Sequence, residues 1–152
     1  MKILRRNVKG KRIETLHCAA SDQSGIVKFY SCSVSGWSSL YGSRGAISGE
    51  QIDVPAFRLS QLMRDRGIDR IGVLKIDTEG AEYSMLLGDR DLLKIPIDAL
   101  LVEADGDPRD TRYSYDQLYD VLQHTFRHVT VVNSGSDYPF IYATNLKGGN
   151  QI

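Results

Sequence analysis

Ile71-Gly72-Val73-Leu74-Lys75-Ile76-Asp77-Thr78-Glu79-Gly80-Ala81-Glu82 is the stretch that decides the fold. An apolar run ends in an acid, turns at a glycine and passes directly into the helical pattern Tyr83 to Leu87. That order predicts a buried central strand over 71–77 followed by a helix, the repeating unit of an α/β sheet. It also places the Asp77 carboxylate at the carboxyl-end rim of parallel strands, where open α/β sheets bind their ligands. No glycine-rich strand-to-helix turn precedes the motif.

Outward from this segment, strand-like and helix-like patterns alternate, which argues for a mostly parallel α/β sheet with an antiparallel closing strand. Upstream, Ile13 to Ala20 reads as a first strand and Ile26 to Tyr30 as a second. Residues 31–49 form a long serine- and glycine-rich loop carrying Trp37, Leu40 and Tyr41. Loops of that length in compact domains are functional or mobile. Gln51 to Pro55 looks extended, and Leu59 to Arg66 reads as a helix stopped by Gly67. Downstream, Ala81 to Leu87 reads as a helix closed by Gly88, and Ala99 to Glu103 as a second buried strand tipped by an acid. Ser114-Tyr115-Asp116-Gln117 is a capping box, opening a helix whose apolar face is Leu118, Val121, Leu122 and Phe126. Two closing strands, His128 to Val132 and Pro139 to Ala143, follow around a turn at 133–137.

The chain's 152 residues suit one domain, 1–152, with a real hydrophobic core. A formal net charge of zero gives no reason to expect a nucleic acid or an anionic membrane as partner. The basic cluster Lys2, Arg5, Arg6, Lys9, Lys11 and Arg12 reads as a solvated face. No apolar stretch approaches the ~20 residues of a membrane span. The start does not resemble a signal peptide, and Cys18 and Cys32, the only cysteines, read as reduced. A cytoplasmic location is the expectation.

Asp77 and Glu103 form the chemical pair of interest. Both end apolar strands, so a parallel sheet turns both to one rim. There they can orient a hydroxyl or ammonium group, act as a base, or hold a hydrated Mg²⁺, although nothing in the sequence demands that ion. Each also serves as an ordinary cap for the segment that follows. Glu79 and Glu82 sit where a helix macrodipole favours negative charge, while Gly80 between them implies a close approach of backbone or ligand. Lys75 either snorkels to the strand edge or pairs with a rim acid. Trp37, Ser38 and Ser39 combine an aromatic with two hydroxyls. They either fold over a bound ligand or pin their loop to the core.

Leu74-Lys75-Ile76-Asp77-Thr78-Glu79-Gly80-Ala81-Glu82 with Leu86-Leu87-Gly88 resembles the hallmark segment of the FkbM-type S-adenosylmethionine-dependent methyltransferases. Arg6-Asn7 and the strand ending Cys18-Ala19-Ala20-Ser21-Asp22 resemble that family's third-strand region. Gly36-Trp37-Ser38-Ser39-Leu40 resembles its serine-bearing loop, and Val54 to Leu62 its helix before the central strand. The resemblance implies a Rossmann-like class I methyltransferase sheet and transfer of a methyl group from S-adenosylmethionine to a hydroxyl of a small molecule or glycan. By motif position, Ala20, Ser21 and Asp22 lie near the adenine. Asp77 faces donor and acceptor with Glu79 beside it, and Ser38 and Ser39 belong to the loop over the acceptor side; Trp37 in that loop and the strand-end Glu103 are further substrate-binding candidates.

The family pattern begins with a strand, a glycine-containing turn that cradles the cofactor, and a second strand ending in a ribose-binding acid. This sequence starts after all three, so the expectation is a partial domain lacking its first two strands. Two readings follow: part of a longer O-methyltransferase, or a non-catalytic remnant serving as a binding or assembly module. Either leaves a sheet edge open for self-association.

Overall fold

The computed structural model describes residues 9–30, 40, 51–106, 110–133 and 138–146. Its strands are β1 (Ala19–Ala20), β2 (Gly25–Tyr30), β3 (Gln51–Phe57), β4 (Ile71–Ile76), β5 (Ile97–Glu103), β6 (His128–Val132) and β7 (Phe140–Thr144). Its α-helices are α1 (Leu59–Asp65) and α2 (Tyr115–Thr125), with a π-helical turn at Ser84–Gly88 and a 3₁₀ turn at Leu92–Lys94.

The strands form two sheets, ordered β1-β3-β2 and β4-β5-β7-β6. The fold is therefore mixed α/β, and the mostly parallel single sheet expected from the sequence is corrected. Only β1 with β3 and β4 with β5 run parallel; β2 with β3, β5 with β7, and β6 with β7 are antiparallel. Chain length between strands explains part of this. Only seven residues separate β6 from β7, too few for the dozen or so that a parallel crossover needs.

The expected strand over 13–20 also shrinks, to the two residues of β1. Ile13 and Leu16 are exposed and belong to no strand, and β1 pairs with β3 only at Ala19↔Ala56 and Ala20↔Phe57. A third correction concerns the hallmark strand. β4 pairs with β5 in register Ile76↔Val102, but nothing among the described residues pairs with its other edge. Among the described residues it stands at the edge of its sheet, and Val73 is 74% exposed.

The core sits on the second sheet. Leu100, Val102, Ile141 and Ala143 from β5 and β7 meet Leu118 and Leu122 of α2 and Phe126 just past its end, with Met85, Leu86 and Leu92 closing one end. These α2 residues are the apolar stripe that helical periodicity predicts. Both hydrogen bonds of the Ser114–Gln117 capping box form. Helix α1 ends as expected at Gly67, whose φ of +64° is accessible to glycine at little cost, while Ile68 N–H bonds back to Met63 C=O. No described helix is long and apolar enough to cross a membrane.

Candidate functional site

The parallel register of β4 and β5 brings their carboxyl ends together, so Asp77, one residue past β4, stands beside Glu103, the last residue of β5. Lys75 Nζ donates to Asp77 Oδ2 at 2.6 Å. This hydrogen bond, then the charges of Asp77 and Glu103, hold the Lys75 ammonium above its ordinary pKa. Of the two roles open to Lys75, the ion pair with a rim acid is the one it takes.

The loop after β4 is shaped by a carboxylate that lies entirely out of solvent. Glu82 Oε1 accepts the Thr78 N–H at 2.8 Å and the Thr78 hydroxyl at 2.7 Å. The Gly80 N–H lies 3.2 Å from Oε1 and 3.0 Å from Oε2. Three donors converge on one buried anion, which is what a buried carboxylate needs to offset its lost hydration. To make that turn, Glu79 adopts φ +55° and Gly80 φ +113°. Glu79 is the only non-glycine residue in the left-handed region among the described residues. Such strain persists where surrounding contacts enforce it, and it concentrates at ligand sites.

Against this loop lies a cavity of about 470 Å³. One wall is the loop itself: Asp77, Thr78, Glu79 and Ala81. The other comes from the first sheet and its flanks: Cys18, Ala19 and Ala20 with Phe29 and Leu40. Ala20, far in sequence from Asp77 and Glu79, is thus brought to one cavity with them. Glu103 adjoins Asp77 on the neighbouring strand but does not line the cavity.

Ser21 and Asp22 follow Ala20 but turn away from it. Ser21 is buried, its N–H bonding Phe57 C=O and its hydroxyl donating to Asp22 Oδ1 at 3.2 Å. Asp22 Oδ2 accepts from Arg112 Nη1 at 2.7 Å. Trp37, Ser38 and Ser39 lie outside the described residues; of their loop only Leu40 is described. No group of three or more His, Cys, Asp or Glu side chains among the described residues is placed to hold a metal ion.

Sequence reasoning missed Glu82 as the organiser of the site. A signal existed, since Thr78 and Glu82 resemble a capping box lengthened by one residue. The extra residue is accommodated by the left-handed step at Glu79 and the positive φ of Gly80. Phe29 carried no signal at all, because only the meeting of two sheets gives it a role.

The architecture of S-adenosylmethionine, a sulfonium and an ammonium joined to a flat adenine, suits these walls. Carboxylates of Asp77 and Glu79 could meet its positive charge, and small apolar side chains at Ala19, Ala20 and Ala81 would leave room for its ring. The volume lies within the range of small-molecule sites. In comparison with known proteins, a family model described as the methyltransferase FkbM domain matches residues 4–128. No curated protein matches the chain, and no solved structure does.

Proposed function

The chain belongs to the methyltransferase FkbM domain family, and from that premise we propose that it binds S-adenosylmethionine in the cavity between loop 77–81 and Ala20. The reaction proposed is O-methylation of a hydroxyl on a small molecule or glycan, within a Rossmann-like class I methyltransferase architecture. The order β4-β5-β7-β6 with its parallel β4–β5 pair supports that architecture. The observation that carries the reading is the convergence of Asp77, Glu79 and Ala20 on one cavity of suitable size.

When bound, the cofactor supplies an electrophilic methyl group on a sulfonium. The chain's own residues do the rest by positioning and charge. Asp77 has Oδ2 engaged by Lys75, which leaves Oδ1 to accept the acceptor's hydroxyl proton and align its oxygen. Glu79 adds negative charge beside the cationic cofactor. Ser21 and Asp22 act on the adenine side through the backbone that follows Ala20. Glu103 serves the acceptor side next to Asp77, together with Trp37, Ser38 and Ser39. A metal ion is not required by this scheme.

Hydrogen exchange with saturating S-adenosylhomocysteine locates the site. Protection should appear in the backbone of 18–20 and 77–81 together. Protection confined to α2 and β6, or none at all, would remove the proposal.

A second reading, a binding or assembly module, is favoured by one observation. The open edge of β4 carries Val73 at 74% exposure, and such an edge is a template for pairing with a second copy. As a non-catalytic remnant the chain would pair through this edge and leave the cavity without cofactor, so the cofactor titration separates the two readings.

A further inference from the structure

Among the described residues no strand of the first sheet pairs with a strand of the second, yet the cavity needs one wall from each. Something other than a β-ladder must fix their separation. Two residues beyond the wall residue Ala20, Asp22 reaches across to the second unit. It packs so closely on Gly88, at the end of the π-helical turn, that a Cβ there would lie 2.7 Å from the Asp22 Cβ. Asp22 C=O also accepts from Arg58 Nε at 2.6 Å, just before α1.

Arg112 holds this corner in place. Its Nη1 donates to Asp22 Oδ2, while Nε and Nη2 fork onto the two oxygens of Asp110, each at 2.8 Å. The guanidinium carbon lies 5.3 Å from the centroid of the Tyr113 ring. The Asp22 and Asp110 side chains are only 10% and 7% exposed. Two nearly buried carboxylates tolerate such proximity only with a cation between them. Without Arg112 they would repel, and the Asp22 corner would lift off Gly88, carrying Ala20 with it.

We propose that Arg112 is a positioning residue for the cofactor cavity, setting the distance between its two walls through the Asp22–Arg112–Asp110 bridge. The proposal rests on the reading of that cavity as the S-adenosylmethionine site. Arg112 does not itself line the cavity; its link to the Ala20 wall runs through Asp22.

The test is S-adenosylmethionine affinity by calorimetry at 15 °C, with folding of each variant verified by circular dichroism. Arg112→Gln should bind about fivefold more weakly, the effect expected from losing an ion pair with one half-exposed member. Adding Asp110→Asn to Arg112→Gln should recover most of that loss, since it removes the repulsion without restoring the contact. A merely structural role would lower the melting temperature and leave affinity unchanged. Wild-type affinity in folded Arg112→Gln, or no recovery in the double variant, would overturn the proposal. Should Arg112→Gln not fold, Arg112→Lys keeps the charge but loses the fork, and weaker binding by that folded variant is then the expected result. Should the wild type itself bind no cofactor, the proposed function fails separately. The bridge is then judged by hydrogen exchange of 18–23, which must rise in whichever of these Arg112 variants folds; unchanged exchange would overturn it.

Discussion

Glu82 accepts from three donors of the loop that it builds, all from within the four residues before it. Glu82→Gln keeps one carbonyl oxygen but turns an amide N–H₂ toward groups that are themselves donors. We expect a loss of about 2 kcal/mol in urea unfolding, the cost of leaving a buried donor unpaired, together with weaker cofactor binding. Charge at the surface acts differently. Arg66 forms a two-pronged pair with Glu14, whose hydrogen bond and charge hold the Glu14 carboxyl below its ordinary value of 4.5. Lys94 does the same for Asp91, below 3.8. A depressed carboxyl stabilises the fold above its unfolded-state value and loses that contribution as pH falls through the folded-state value. The melting temperature should therefore begin to fall below about pH 4.5. Glu14→Gln should make the acid slope of a pH-dependent melting series shallower. At the basic end, Lys75 is raised, so its pair with Asp77 persists up to 10.5 and weakens only above it.

The two α-helices among the described residues are capped in contrasting ways. Helix α2 carries its own cap at Ser114, three residues from its partner Gln117. Helix α1 has none in its own sequence. Instead Asp89, buried at the end of the π-helical turn, accepts from Ser60 N–H at 2.9 Å and from the Ser60 hydroxyl at 2.5 Å. Asp89→Ala should cost about 3 kcal/mol, since it removes two charge-assisted bonds from a buried site, whereas Ser114→Ala should cost about 1 kcal/mol. Urea unfolding of the two variants checks the order. The same contrast explains what a reader of the sequence can see. The capping box of α2 and the glycine stop of α1 were legible because each is written within a few neighbouring residues. The cap of α1 was not, because its partner lies 29 residues away. The apolar run of β4 was legible as a strand, but apolar character tells what can be buried and not whether a neighbour arrives to bury it. Hence Ile71–Ile76 reads as central and stands at an edge.

At the scale of the whole molecule, the two sheets of the described residues meet without sharing a ladder, and the candidate cofactor site lies where they meet. The motif residues Asp77 and Glu79 were legible in advance, since a strand-to-helix turn fixes their place locally. The opposite wall was only partly so, because Phe29 and Leu40 acquire meaning from the tertiary arrangement alone. The β4 edge gives the assembly reading its own test. If a second copy pairs there, sedimentation should show a dimer that Val73→Lys converts to monomer, because a charge on an edge strand opposes pairing. The central claim is that this chain holds S-adenosylmethionine, and calorimetric titration of that cofactor into the wild-type chain tests it most directly. The account predicts saturable binding, with a gain in stability of about 2.7 kcal/mol at a hundredfold excess over the dissociation constant, seen as a rise of several degrees in melting temperature. A flat titration of soluble, folded protein would contradict it.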